Sequence, residues 1–403
     1  MNKQKLQTLK GFRDFFPAEA KKRKWLKKKM IKVFESWGYQ PIETPALEYL
    51  ELFEGEIGED EKLFYQFTDL GGREVALRYD QTVPTCRFIG ENFQKLTFPF
   101  RRYQIQSVWR AEKPQKGRYR EFVQSDIDIF GISSPLADAE AIALSLDLYQ
   151  KLGFEKVIVK VNNRDLMKNI PYKVIASIDK LEKIGSLGVI EDMVNKGINK
   201  NQAEKYLNKI DCMQPDETIF KIFSYLRKTG FDQSYYQFDP TLARAFSYSQ
   251  GPIWEIVVPE YAIGSVGGGE RYDDLVERIT GRQIPATGIA FGFDRTLEAL
   301  EELELIPEFG STTQVLVTVF NQETFSASLQ TAQKLRRNRV NTEVYPSYQE
   351  NISDQLNYAN EQEIPWVIVI GPEEVENNTV ALKNMASGKQ KQFSVQEVVN
   401  KLA

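Results

Sequence analysis

The sequence predicts a mixed α/β protein: an antiparallel sheet flanked by helices, a helical insertion within it, and a C-terminal α/β domain. Three observations carry that prediction. Between residues 63 and 131, short strand-like segments alternate with turn residues rather than with long helices. Residues 163–235 are rich in Lys and Asn and helical in pattern. Beyond residue 312, strands and helices alternate in a stretch long enough to fold as a domain of its own.

Each element follows from local chemistry. Over residues 18–37, Leu26, Met30, Val33, Phe34 and Trp37 recur at helical spacing. Lys21, Lys22, Arg23, Lys24, Lys27, Lys28 and Lys29 supply the opposite face, which reads as a solvated surface rather than an RNA contact. Gly38 ends this helix, and a strand at 39–42 stops before Pro45. Strands follow at 63–67, 74–77, 101–108 and 122–129. Ser134 and Pro135 then open a long helix, as N-cap and first-turn residue, and Gly153 closes it. After the insertion, strands are expected at 252–258 and 262–266, then glycine-rich turns and a helix from about 294 to 302. Residues 307–313 read as a linker, and strands at 315–320, 342–345 and 366–370 form the last domain. The expected boundaries are 1–162, 163–235, 236–306 and 312–403.

Among 403 residues there is no histidine and only two cysteines, Cys86 and Cys212. A Ser-His-Asp triad, a Cys-His pair, a HExxH zinc site and a disulfide framework are thereby excluded. Lys and Arg number 52 against 56 Asp and Glu, a balance unlike that of a strongly basic nucleic-acid binder. The N-terminal residues lack the apolar core of a signal peptide, and the longest apolar runs are too short to span a bilayer. A cytoplasmic chain with no membrane partner is expected.

Two segments could carry chemistry. Around a Pro/Gly turn, Arg110, Lys113, Lys116, Arg118 and Arg120 crowd five cations into eleven residues. That cluster suits a polyphosphate or an RNA end, and an exposed, solvated hairpin accounts for it equally well. Glu112 beside it can accept from an exocyclic amine, and Phe122 can stack on a base. In Gly264-Ser-Val-Gly-Gly-Gly-Glu-Arg-Tyr-Asp273, adjacent glycines permit close backbone approach to a ligand, although neither common phosphate-loop fingerprint is met. Gly288-Ile-Ala-Phe-Gly-Phe-Asp-Arg295 places an Arg at a helix start, where backbone N–H groups favour anions.

Taken in order, these segments resemble a class II aminoacyl-tRNA synthetase of the histidyl-tRNA synthetase family. Gly11-Phe-Arg-Asp is similar to the family's opening, and the helix before Pro45 to its dimer-forming first motif. Leu77-Arg-Tyr-Asp-Gln-Thr-Val83 resembles the amino-acid-binding strand, the segment from Arg110 to Phe122 the second motif, and Gly288 to Arg295 the third. The C-terminal segments resemble an anticodon-binding domain.

The resemblance implies an ATP-dependent ligase that uses Mg²⁺, activates histidine and charges tRNA(His) as a homodimer. Arg110 would hold the α-phosphate, Glu112 the adenine amine, and Phe122 would stack on adenine. Arg118 and Arg295 would hold the outer phosphates. Asp80, Gln81, Thr82 and Gln124 would form the amino-acid site, with Asp128 facing an imidazole nitrogen. Arg244 would sit at the reacting carboxylate, with Tyr248 and Ser249 in the histidine signature. Gln115 and Lys116 lie in the loop expected to meet the tRNA acceptor end. The catalytic set is thus Arg110, Arg244 and Gln124.

Three features depart from the family pattern. In Arg244-Ala-Phe-Ser-Tyr-Ser-Gln-Gly251, Ser249 replaces the second Tyr and Ala245 the first Gly. Ser249 would reach an imidazole through a bridging water, or the pocket admits another substrate. Glu270 stands where the family has Gly, and calls for a cation such as Arg271 beside it. Residues 311–403 hold eight Lys and Arg against ten Asp and Glu, which weakens the expected contact with RNA phosphates. A paralogue with altered amino-acid specificity, or a non-catalytic ligand sensor, is the alternative.

Overall fold

In the computed structural model, residues 6–54, 64–113, 119–243 and 249–403 are described. The chain divides into two units, Met1–Ile306 and Pro307–Ala403.

Helix α1 (Pro17–Ser36) buries Leu26, Met30, Val33 and Phe34 and leaves Lys24, Lys27, Lys28 and Lys29 exposed. Its basic face is partly paired within the protein, through Lys22 with Glu301 and Arg23 with Asp294. Strand β1 (Gln40–Pro41) is shorter than expected because Pro41 cannot extend a ladder of N–H donors. A small sheet of β2 (Leu47–Tyr49), β3 (Gln66–Thr68) and β4 (Glu74–Leu77) follows, in the order β2-β4-β3. Helix α2 (Thr82–Glu91) then leads to a long antiparallel hairpin, β5 (Phe100–Trp109) and β6 (Glu121–Phe130).

Helix α3 (Pro135–Leu152) is bounded as its sequence requires. Ser134 accepts from the Leu136 N–H, and Gly153 takes a left-handed φ of 99° at the C-cap. Strand β7 (Ile158–Asn163) precedes the insertion. Helices α4 (Tyr172–Ile178), α5 (Leu181–Asn195) and α6 (Lys200–Asp211) close around their own apolar core, which includes Met167, Val174, Val189 and Leu207. Helix α7 (Glu217–Lys228) instead lays Ile219, Ile222 and Leu226 on the main core.

Strands β8 (Tyr236–Phe238), β9 (Gln250–Val257) and β10 (Gly267–Arg271), helix α8 (Leu275–Thr280), strand β11 (Ala286–Gly292) and helix α9 (Phe293–Glu302) complete the first unit. Its main sheet has the order β1-β5-β6-β11-β10-β9-β7-β8, antiparallel throughout except for the two parallel edge strands.

One expected strand is displaced. Residues 262–266 form turns and irregular backbone, and the glycine run expected to be a turn is strand β10. Packing explains the exchange. A Cβ at Gly269 would overlap the fully buried Trp254 indole on β9, so this central strand fits only with glycine there.

The second unit is a five-stranded sheet with flanking helices. Its elements are β12 (Val315–Val317), α10 (Phe325–Arg337), β13 (Thr342–Val344), α11 (Ile352–Glu361), β14 (Trp366–Val369), α12 (Pro372–Glu376), β15 (Val380–Asn384), β16 (Gln390–Phe393) and α13 (Val395–Leu402). Strands β13, β12 and β14 are parallel, and β15 and β16 add antiparallel pairs.

Candidate active site

Strand β6 divides its side chains between two tasks. Ile127 and Ile129 enter the main core, while Phe122, Gln124, Asp126 and Asp128 line a cleft. This is the two-residue period of a strand with one face in the core and the other at a site. The cleft has a volume of about 410 Å³ and is also lined by Asp80, Thr82, Arg110, Glu112, Glu270, Tyr272 and Arg295. Gly267, Gly268 and Gly288 contribute bare backbone to its walls.

Eight of the residues singled out by sequence therefore meet in one place: Asp80, Thr82, Arg110, Glu112, Phe122, Gln124, Asp128 and Arg295. Two others lie elsewhere. Gln81 is fully buried but turns away from the cleft, its Nε2 donating to the carbonyls of Gln106 and Gln124. It ties α2 to the hairpin, because a residue at the start of a helix points away from its sequence neighbours. Ser249 reaches the cleft only through Glu270, to which its hydroxyl donates. Arg118, Gln115, Lys116, Arg244 and Tyr248 lie outside the described residues.

The cations of the hairpin do not act as one group. Arg110 donates to the Tyr79 carbonyl at 3.3 Å, and its guanidinium lies 4.4 Å from the Tyr79 ring centroid and 5.2 Å from that of Phe122. Arg120 instead bonds to the carbonyls of Glu112 and Lys10, bracing the start of the loop against the N-terminal segment. Arg295 is anchored by one nitrogen on the Ser265 carbonyl, 2.9 Å away.

A second anchor fixes the third motif. Asp294 takes Arg13 at 2.7 Å and Arg23 at 2.6 Å on one oxygen, and the Val123 N–H at 3.0 Å on the other. The Gly11-Phe-Arg-Asp segment thus holds the helix that carries Arg295. Gly11, at φ 92°, also passes so close to Arg120 that a Cβ would crowd it.

The acidic wall is the unusual part of the site. Gln124 Oε1, Asp126 Oδ1 and Asp128 Oδ2 are buried with no hydrogen-bond partner among the described residues. Buried acceptors of this kind are costly unless a ligand supplies donors. Arg102 comes within 2.5 Å of Asp128 without hydrogen-bond alignment, and the Tyr272 hydroxyl donates to the other Asp128 oxygen. Burial pushes the Asp80 carboxyl up to about 6, against the Val83 N–H and Arg110. Burial also lifts Asp126 well above the usual carboxylate range, against Arg102, and raises Asp128 against Arg102 and Tyr272.

Asp126 and Tyr272 were not singled out by sequence. The alternation 122, 124, 126, 128 was the signal for Asp126. Arg271, expected as a partner for Glu270, points to the other side of β10 and binds Asp138 at 2.7 Å and Asp273 at 3.0 Å. Adjacent strand residues face opposite ways, so one cannot neutralise the other.

Residues 11–187 and 182–296 match the family model of histidyl-tRNA synthetase, and residues 314–403 that of the anticodon binding domain. The histidine–tRNA ligase of Cytophaga hutchinsonii is 35% identical over 446 residues, covering 98% of both chains. That of Wolinella succinogenes is 36% identical over 96% of this chain and 95% of its own. The crystal structure of histidyl-tRNA synthetase from Nostoc sp. PCC 7120 superposes with a TM-score of 0.82 at 26% identity, over 98% of each chain.

Proposed function

Because the chain belongs to the histidyl-tRNA synthetase family, we propose that its cleft performs the two half-reactions of a histidine–tRNA ligase. It is an ATP-dependent ligase with histidine and tRNA as substrates. The single observation that carries the assignment of the cleft is its division into two chemistries. One end presents the buried acceptors Gln124 Oε1 and Asp126 Oδ1 without hydrogen-bond donors among the described residues, and the other presents Arg110 and Arg295. The first suits an ammonium group and an N–H-bearing ring; the second suits phosphates.

In the first step the histidine carboxylate attacks the α-phosphate of ATP and pyrophosphate leaves. Arg110, held against Tyr79 and Phe122, neutralises charge developing on that phosphorus, and Arg295 holds the outer phosphates. Adenine stacks on the Phe122 face away from Arg110, with its amine at Glu112. Asp80, Thr82 and Gln124 orient the ammonium, and Asp128 accepts from the ring. Among the described residues no group of three or more Cys, His, Asp or Glu side chains could hold a metal by itself. Mg²⁺ would enter with ATP and neutralise charge on its phosphates. Alignment and charge neutralisation suffice for this step, so a chain without histidine can perform it. Arg244 and Arg118 would complete the phosphate contacts, and Gln115 and Lys116 would meet the tRNA end.

ATP–pyrophosphate exchange measured with each amino acid tests this reading. Exchange driven by histidine is expected; exchange with another amino acid, or none, would overturn it. Homodimerisation is supported by the small sheet, which leaves Leu47, Tyr49 and Phe67 half-exposed. A cytoplasmic location fits the finding that, among the described residues, no helix is long and apolar enough to cross a membrane. Sedimentation of the purified chain as a monomer, or its recovery in a membrane fraction, would end these two readings.

A further inference from the structure

Glu298 follows Asp294 and Arg295 by four and three positions on α9, so it neighbours both on the helix surface. Its two oxygens accept two tyrosine hydroxyls, that of Tyr119 at 2.8 Å and that of Tyr261 at 3.1 Å. Tyr119 is held from the same helix a second time. Asp294 pairs with Arg13 at 2.7 Å, and the Arg13 guanidinium lies 3.2 Å from the centre of the Tyr119 ring. The ring is thus gripped at its face and at its tip by residues one turn apart.

The two tyrosines come from different walls of the cleft's cationic end. Tyr119 lies on the arm returning from the hairpin turn, three residues before Phe122, and lines the cleft. Tyr261 precedes the irregular segment 262–266, whose Ser265 carbonyl anchors Arg295 at 2.9 Å. That segment also meets the start of α9, where the Gly292 N–H donates to the Val266 carbonyl at 2.8 Å. Burial raises both tyrosine hydroxyls, and the Glu298 carboxylate raises them further, so both stay protonated donors at neutral pH. Tyr119, Asp294 and Arg295 belong to the cleft lining, whereas Glu298 and Tyr261 stand outside it. Whatever these two do for a ligand, they do through their neighbours.

We propose that Glu298 is a positioning residue for the nucleotide: it fixes Tyr119 and the returning hairpin arm on one side, and the segment that anchors Arg295 on the other. The spacing between the Phe122 ring and the Arg295 guanidinium is then set by one carboxylate that touches neither ATP nor histidine. This proposal rests on the reading of the cleft as the site of histidine activation, with ATP at the end that holds Arg295.

The test measures KM for ATP and KM for histidine separately in ATP–pyrophosphate exchange. Glu298→Ala removes the acceptor of both hydroxyls and should raise KM for ATP about tenfold, with KM for histidine changed by less than about twofold. Glu298→Gln keeps one acceptor oxygen, and its amide can donate to the second hydroxyl, so it should restore most of the loss. Tyr261→Phe lies outside the cleft and should raise KM for ATP about threefold by the same route. Adding it to Glu298→Ala should have no further effect, because that hydroxyl has already lost its acceptor. A fold that is merely loosened lowers the active fraction and leaves both KM values where they were. If Glu298→Ala does not fold, the Tyr261→Phe values decide. An unchanged KM for ATP, or an equal rise for both substrates, overturns the proposal and leaves histidine activation standing. No histidine-dependent exchange in wild type overturns the reading beneath it.

Discussion

Two buried glutamines, one in each unit, show how differently the units are built. Gln355 in the C-terminal unit is fully buried, accepts from the Val319 N–H at 2.9 Å, and donates to the carbonyls of Val319 and Glu350. Gln124 in the N-terminal unit is buried nearly as deeply, yet its Oε1 has no partner among the described residues. The contrast extends beyond the pair. Thr379 Oγ1 is the one buried side-chain polar atom left unpartnered among the described residues of the C-terminal unit, against eleven in the other, several of them at the cleft. A unit that satisfies its own polar groups gains stability from them. A unit that leaves acceptors unmet at a cavity holds them ready for a ligand's donors.

Exchanging each glutamine for alanine separates the two roles, and the larger effect should come from the cleft. Gln124→Ala should lower kcat/KM for histidine-dependent exchange by about a hundredfold, with thermal stability changed by no more than about 0.5 kcal/mol. Gln355→Ala strands the Val319 N–H and carbonyl and should cost about 2 kcal/mol of stability in denaturant unfolding. Histidine-dependent exchange should be unchanged in that variant at temperatures where it is folded. A Gln124 variant that loses stability instead of activity would erase the distinction between the units.

Much of both units is legible in the sequence where a period repeats. The alternation of β6 brings Gln124 and Asp128 to one face, and the same period would have added Asp126. Helix α3 is bounded by Ser134 and Gly153 as their backbone preferences require. Misread segments are those whose structure depends on a distant partner. Strand β10 is a run of glycines, and only the Trp254 indole packed against Gly269 makes that composition suit a strand. Strand β16 (Gln390–Phe393) is mostly exposed, so no apolar alternation marks it. Gln81 looks like a site residue beside Asp80 and Thr82, but the start of α2 directs it onto the hairpin. Roles assigned to Arg110, Glu112 and Arg295 came from the family resemblance, because charge clustering alone did not distinguish a phosphate clamp from a solvated hairpin.

The smallest expected effect is a pH dependence confined to the catalytic unit. Burial raises Asp80 from 3.8 to about 6, so the ligand-free fold holds a proton there that the unfolded chain releases. Stability from this group is present below the unfolded value and is lost as pH rises through about 6. Histidine binding has the opposite sign, because its ammonium requires the ionised carboxylate, so affinity should fall as pH drops below about 6. Asp126 and Asp128 are raised in the same cleft, so the observed midpoint belongs to the group of carboxylates. In the C-terminal unit the resolved shifts are a lowered Glu397, capped by Ser394, and a Tyr358 pushed up to about 12 by Glu343 and burial. Neither titrates near pH 6. Calorimetric titration of histidine between about pH 5 and 8 should show affinity falling up to about tenfold at the acid end, with the change reduced in Asp80→Asn. An affinity that stays flat across that range would remove Asp80 from the ammonium site.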